Sequence, residues 1–265
     1  MIRLKPTTWI MALGALLLLV SHSVSAENYY LLQVDYAEIS DKELQAALKQ
    51  IQELKELELQ EIVDLPPFHQ RQDALDTEEH SFCLNCHLAL PHRENERQRT
   101  FLNMHSRYVA CETCHLKADK QTTLKYRWLA FNQPHAGLEV VALVSEGEVT
   151  EAAPFMPIPG ARIAPFVGDE PAVLFEKSHS AKRTLKEWET SDELTKAKLK
   201  ARLHAPLQKE GPACEACHNE KSLLDLVMLG ADPIKKRQIE QNGIASFFAR
   251  FNEQTERLRI TDLLR

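Results

Sequence analysis

Three short stretches share one pattern and dominate the sequence: Cys83-Leu84-Asn85-Cys86-His87, Cys111-Glu112-Thr113-Cys114-His115 and Cys214-Glu215-Ala216-Cys217-His218. Each stretch has two cysteines separated by two residues, and a histidine directly follows the second cysteine. The chain has six cysteines, and all six lie in these stretches. Cysteines used for disulfides or packing would not be distributed in this way. A single copy is compatible with a redox pair or half a zinc site, but three complete copies argue against both.

The C-x-x-C-H spacing is the one at which two thiols reach the two vinyl groups of a single haem. The histidine that follows is then placed under the iron as its proximal ligand. The sequence therefore predicts three covalently attached c-type haems. The predicted attachment residues are Cys83, Cys86, Cys111, Cys114, Cys214 and Cys217, and the predicted proximal ligands are His87, His115 and His218.

On these motifs the chain resembles the multihaem c-type cytochromes, and the copy number indicates a trihaem member. The resemblance covers the fifteen motif positions and is silent on most of the remaining chain. It implies that haem is attached outside the cytoplasm. The N-terminus agrees, because Arg3 and Lys5 precede an apolar run at 9–20 and small residues follow it up to Ala26.

Residues 1–26 are accordingly predicted to be a signal peptide that is cleaved after Ala26. The alternative is an uncleaved membrane anchor, but twelve apolar residues are short for a bilayer span, which needs about 20. No cysteine lies directly after the apolar run, which argues against a lipoprotein anchor. We expect a periplasmic or otherwise exported protein of the bacterial cell envelope, with no stable membrane span after cleavage.

The charge of the mature chain limits the classes of partner. Removing residues 1–26 from the 265 leaves 239 residues with 30 basic and 38 acidic side chains, because Arg3 and Lys5 depart and no acid does. The resulting charge of −8 disfavours nucleic acid and anionic membrane surfaces as partners. The length fits a single domain at 27–265. Since only 7% of the residues are aromatic, three haems would supply much of the apolar core.

The fold predicted from the patterning is mainly α, with much irregular chain and a small β insertion in the middle. The haem pair lies at 68–118, the insertion at 119–175, and the third haem with the C-terminal helices at 176–265. Ser40 and Glu43 form a capping box that starts a helix ending before Pro66. The stretch 29–32 indicates a strand or an extended arm, and 138–150 indicates a strand entering a turn. Five prolines make the region between Pro154 and Pro171 irregular.

Two further helices are predicted in the third section, one over 185–203 and one beginning after Asp232. Pro233 occupies the first position of the second helix, which continues to Phe251 with Gly243 as a weak point. The charged tract 93–99 has two interpretations. It is either a solvated helix face or a source of arginines that pair with haem propionates.

The distal ligand of each iron decides between electron transfer and substrate chemistry, because only an open face can bind a small molecule. Seven histidines outside the signal peptide and the motifs can serve: His69, His80, His92, His105, His135, His179 and His204. In multihaem cytochromes a histidine just upstream of a motif often reaches a neighbouring haem. By this resemblance His105 and His204 lead, His80 is similarly placed, and His179 is also a candidate. Met104, Met156 and Met228 are alternative ligands.

Three functions are compatible with these features. The first is a periplasmic carrier that relays single electrons through three low-potential, bis-histidine haems between a membrane-side donor and a soluble or outer acceptor. The second is a multihaem oxidoreductase of a small nitrogen or sulfur compound, with one open haem. The third is a subunit of a haem-bearing filament or complex, in which surplus histidines ligate haems of the next chain. An oligomer is therefore also possible.

Overall fold

The computed structural model describes residues 28–53, 80–95, 98–131 and 160–250. Several sequence predictions lie outside these residues: the signal peptide, the first helix beyond residue 53, His69, His135, the strand and turn at 138–150, Met156 and Phe251. Helices and irregular chain predominate in the described parts, together with one small sheet. This composition is compatible with the predicted mainly α class.

Two helices open the described chain, α1 (Tyr29–Asp35) and α2 (Asp41–Gln52). The capping box of α2 is confirmed, since Ser40 and Glu43 each accept the other's backbone N–H. The strand or arm expected at 29–32 is wrong. The Asn28 side chain accepts from the Leu31 N–H and so starts a helix there, which buries Tyr30 and Val34 on one face.

The sheet has three antiparallel strands in the order β1 (Leu124–Leu129), β2 (Arg162–Val167) and β3 (Glu170–Pro171). The irregular chain expected around Pro165 is therefore wrong, because Pro165 lies within β2. Its carbonyl accepts from the Ala172 N–H at 2.8 Å, so its missing N–H faces the short edge strand and not β1. The pairing of β1 with β2 consequently stays intact.

The single helix predicted over 185–203 is two helices, α5 (His179–Thr190) and α6 (Glu193–His204). The break occurs because the Asp192 side chain accepts from the Thr195 N–H at 2.8 Å, which starts a new helix. The next predicted helix also divides, into α8 (Pro233–Glu240) and α9 (Gly243–Arg250). Asp232 and Pro233 begin α8 as predicted, and the chain breaks just before the expected weak point at Gly243.

The remaining helices are short: α3 (Asn103–His105), α4 (Cys111–His115) and α7 (Cys214–Cys217), with a π-helical turn at Gln98–Leu102 and a 3₁₀ turn at Phe82–Asn85. One apolar cluster joins Tyr30, Val34, Phe82, Leu116 and Leu174, and a second joins residues of the sheet to Ala110 and Phe131. Among the described residues, no helix is long and apolar enough to cross a membrane.

Candidate haem-binding site

Each C-x-x-C-H motif forms one short helical turn. Motif 1 (83–87) begins on the 3₁₀ turn Phe82–Asn85, motif 2 (111–115) forms α4, and motif 3 (214–218) begins on α7. Residues three apart on a helical turn lie on the same side, so the two thiols of a motif face one way. The histidine follows directly, one turn after the first cysteine. Local structure therefore presents two thiols and one imidazole together at each motif.

Motif 2 lies between the other two motifs. The side chains of Cys83 and Cys111 interact, which raises the pKa of the Cys83 thiol. On the other side, burial raises the pKa of Cys114 to about 12, and the charge of the nearby Cys217 adds to this effect. A Cβ placed on Gly211, just before motif 3, would lie only 3.1 Å from the Cys114 Cβ. The attachment turns of motifs 1 and 3 thus both lie against α4.

Each motif histidine faces a second histidine. The ring centroids of His87 and His204 are 6.0 Å apart, and those of His218 and His105 are also 6.0 Å apart. The third pair is His115 with His92, at 6.3 Å. An imidazole–metal bond is about 2.0–2.1 Å and each ring centre lies about 1 Å beyond its nitrogen, so two imidazoles across one metal have centroids roughly 6 Å apart. All three pairs match this separation.

Hydrogen bonds to the Nδ1 atoms orient the imidazole rings. His105, His115, His204 and His218 each place Nδ1 at 2.7–2.9 Å from a backbone carbonyl oxygen. His92 places Nδ1 at 3.2 Å from the side-chain oxygen of Asn103. A histidine that donates through Nδ1–H keeps Nε2 unprotonated and available to a metal. The hydrogen bonding therefore favours the tautomer that an Nε2 ligand requires.

The electrostatic surroundings also favour neutral imidazoles. Burial lowers the pKa of His87, and the nearby His204 and Lys200 lower it further. Burial likewise lowers the pKa of His92, although its hydrogen bond with Asn103 opposes this shift. Metal ligation requires a neutral imidazole, so both shifts increase the fraction that can bind iron near neutral pH.

The histidine pairs differ in part from the ligand set that the sequence favoured. His105 and His204, the leading candidates in the sequence, each belong to a pair. His92 belongs to the third pair, whereas His80 and His179 belong to none of the three pairs. His179 is the exposed first residue of α5, and the His80 carbonyl accepts from the Glu176 N–H at 3.0 Å.

The sequence does not favour His92, which directly follows Pro91. Its position depends on Asn103, eleven residues later in the sequence. The His92 N–H donates to the Asn103 Oδ1 at 3.0 Å, and the Asn103 Nδ2 donates back to the His92 carbonyl at 3.0 Å. Asn103 is 4% exposed, so a contact between residues distant in the sequence places His92 in its pair. Of the methionines, Met228 is exposed and Met104 adjoins His105.

Buried polar atoms near the motifs provide a test of whether a haem fits these residues. Asn85 Nδ2 in motif 1 and Arg93 Nη1 beside His92 are both buried, and neither has a hydrogen-bond partner among the described residues. Buried donors normally have a partner, so each one that lacks a partner needs an explanation. A bound group that carries carboxylates, as haem does, would supply acceptors for both. Together with the thiols and the paired imidazoles, these donors fit haem.

Comparison with known families supports the same chemistry. Residues 38–116 match the family described as cytochrome c554 and c-prime. The matched region contains motifs 1 and 2 together with His92 and His105, and it ends before motif 3. Searches of the curated proteins and of the solved structures returned no match to the chain.

Proposed function

We propose that the chain is a c-type cytochrome that carries single electrons through three covalent haems, each ligated by two histidines, and the family match over residues 38–116 supports this function. Motif 1 would use His87 and His204, motif 2 would use His115 and His92, and motif 3 would use His218 and His105. The observation that carries this proposal is the separation of the three imidazole pairs, at 6.0, 6.3 and 6.0 Å.

The residues of the chain have distinct roles in this proposal. The six cysteines would hold the cofactors, and the paired histidines would be the ligands of each iron. When bound, each haem supplies one-electron chemistry between ferric and ferrous iron. The Nδ1–H hydrogen bonds increase the basicity of the ligating nitrogens, which favours the more highly charged ferric state. Histidine in place of methionine also keeps the potential low, so we expect three low-potential haems.

The arrangement of the motifs suits a relay. Motif 2 contacts motif 1 through Cys83 and Cys111, and it contacts motif 3 through the neighbourhood of Cys114 and Cys217. The Gln208 side chain adds a further link, since its Nε2 donates to the Cys114 carbonyl at 2.9 Å a few residues before motif 3. A central motif in contact with both others favours a continuous path over three isolated centres.

The histidine pairs argue against both alternative functions. An oxidoreductase of a small nitrogen or sulfur compound needs one open iron face, but all three motif histidines have a partner imidazole. A filament subunit that lends histidines to the next chain would leave a distal position for that chain to fill. Here His92, His105 and His204 supply all three positions from within the same chain.

We further propose that residues 27–265 form one exported domain after cleavage at Ala26. Its partners would be redox proteins, a membrane-side donor and a soluble or outer acceptor. The mature charge of −8 supports this assignment over nucleic acid or an anionic membrane surface.

Mass spectrometry and spectroscopy of the purified protein test this function. We expect three haem additions, an N-terminus at Glu27, and electron paramagnetic resonance signals that are entirely low-spin in the oxidised state. Carbon monoxide and nitrite should bind poorly, because each must displace a histidine. A parent protein with a five-coordinate fraction that binds nitrite readily would favour the oxidoreductase. Fewer than three haems would refute the relay.

A further inference from the structure

Glu112 is a charged residue in an unusual position. It is the first of the two middle residues of motif 2, and it is only 2% exposed. Glu215 occupies the equivalent position of motif 3, also as C-E-x-C-H, and it is exposed to solvent. The same residue at the same place in the motif is therefore buried in one copy and exposed in the other. Burial of a carboxyl group has a free-energy cost unless it is hydrogen-bonded, so the position of Glu112 requires a compensating contact.

The compensating contact joins motif 2 to motif 1. The Ser81 hydroxyl donates to the Glu112 Oε1, and the same oxygen lies 3.4 Å from the Cys83 Sγ. Ser81 is itself 4% exposed, and its Oγ also accepts from the Cys83 N–H at 3.4 Å, which caps the 3₁₀ turn of motif 1. Glu112 thus binds the residue that begins the neighbouring attachment turn.

Other elements enclose this contact without replacing it. Burial raises the pKa of Glu112, while the Ser81 hydroxyl and the positive charge of Arg162 oppose that shift. Tyr30 of α1 is close enough for the Glu112 charge to raise its pKa. The Tyr30 hydroxyl donates instead to the Leu203 carbonyl at 2.7 Å. Ser81 is therefore the hydroxyl donor that connects Glu112 to the motif 1 turn, beside the Cys83 Sγ.

The second middle residue of motif 2 has a different partner. The Thr113 Oγ1 donates to the Ile163 carbonyl at 2.7 Å, which attaches α4 to β2. Thr113 is buried, at 7% exposure. The two middle residues of one motif thus make one connection to another motif and one to the sheet. A variant of Glu112 therefore tests the connection between motifs 1 and 2, whereas a variant of Thr113 tests the attachment of α4 to the sheet.

We propose that Glu112 is a positioning residue that holds the motif 1 turn against α4 and so sets the separation of the first two haems. The inference rests on the proposed function, because it requires haems at both motifs. Glu112 acts through Ser81 on the turn that carries Cys83 and Cys86. Electron exchange and electrostatic interaction between two centres both weaken with distance, so this contact controls how strongly the two haems are coupled.

The test compares Glu112→Leu, which removes the acceptor at similar volume, with Glu112→Gln, which retains an acceptor for Ser81 without a charge. Two measurements report the coupling directly: the magnetic interaction between neighbouring low-spin haems in electron paramagnetic resonance, and the electron exchange rate between them by NMR of the half-reduced protein. Glu112→Leu should weaken the magnetic interaction and slow the exchange. Glu112→Gln should match the parent.

Matched controls separate positioning from stability. Glu215→Leu, at the same motif position but exposed, should leave both measurements unchanged. Thr113→Val should lower the stability without altering the coupling of the first two haems. If Glu112→Leu does not assemble with three haems, Ser81→Ala removes the same contact from the other side and should weaken the coupling.

Specific outcomes would overturn the proposal. The first is unchanged coupling in Glu112→Leu, or in Ser81→Ala where Glu112→Leu does not assemble. The second is an equal loss of coupling in Thr113→Val. Loss of coupling in Glu112→Gln would assign the effect to charge, which also contradicts a positioning role. A failure of the proposed function is distinguishable, because the parent protein would then lack three low-spin haems.

Discussion

At the scale of single residues, His92 is the paired histidine that distinguishes the structure from the ligand set that the sequence favours. The ring planes of His92 and His115 are nearly parallel, at 19°, whereas those of the His87–His204 and His105–His218 pairs are closer to perpendicular, at 72° and 82°. Asn103 determines this orientation through three contacts with His92. The histidine pair at motif 2 therefore depends on a side chain that is itself no ligand.

The variant His92→Ala tests this assignment. It should open one iron face and produce a high-spin signal from one haem of the three, with carbon monoxide binding that the parent lacks. His179→Ala is the matched control and should stay entirely low-spin, because His179 is exposed and belongs to no histidine pair. A high-spin signal in His179→Ala, with none in His92→Ala, would assign the ligand as the sequence first suggested.

At the scale of secondary structure, helix starts control the placement of the ligand groups. The Asp232 carboxylate accepts from the N–H groups of Ile234 and Lys235, both at 2.8 Å, and so starts α8. The same helix carries Ile239, whose carbonyl oxygen lies 2.8 Å from the His218 Nδ1. A capping residue fourteen positions after His218 thus supports the orientation of the motif 3 histidine.

Replacing Asp232 with alanine should therefore destabilise the protein by about 0.5–2 kcal/mol, the usual cost of removing a helix N-cap. Denaturant unfolding of the holoprotein measures this change. Asp232→Asn should cost much less, because asparagine caps a helix about as well as aspartate does. Equal destabilisation by both variants would show that the capping hydrogen bonds are not the cause.

At the scale of the whole molecule, the histidine pairs cross between distant parts of the chain. His204 lies just before motif 3 yet faces the histidine of motif 1, and His105 lies just before motif 2 yet faces the histidine of motif 3. The segments around 81–115 and 193–218 therefore each place a histidine beside a motif histidine of the other. The Trp128 Nε1, which donates to the Leu229 carbonyl at 2.9 Å, adds a contact between the sheet and the C-terminal section.

A combined variant tests this crossing. His105→Ala alone should create one high-spin haem. Adding Cys214→Ser and Cys217→Ser should then remove that signal and leave two low-spin haems, because His105 serves only the haem of motif 3. Haem content and electron paramagnetic resonance measure both steps. If the high-spin signal persists after the third haem is removed, His105 serves a different motif.

The sequence by itself determined the features that depend on neighbouring residues. A C-x-x-C-H motif places two thiols and an imidazole within one helical turn, so the predicted attachment residues and proximal ligands need no long-range contact. The capping box at Ser40 and the start at Asp232 are likewise local, and both are confirmed. The prediction of a single helix over 185–203 was wrong, because Asp192 caps the start of a second helix.

Only the tertiary structure decided which histidines face each other and which middle residue of a motif is buried. His92 and His115, or His204 and His87, are brought together by packing between segments that no sequence period relates. Glu112 and Glu215 occupy the same position within their motifs. Glu112 is buried because α4 lies against motif 1, whereas Glu215 is exposed to solvent. Local chemistry is encoded within a few residues, but a distal ligand depends on contacts between segments distant in the sequence.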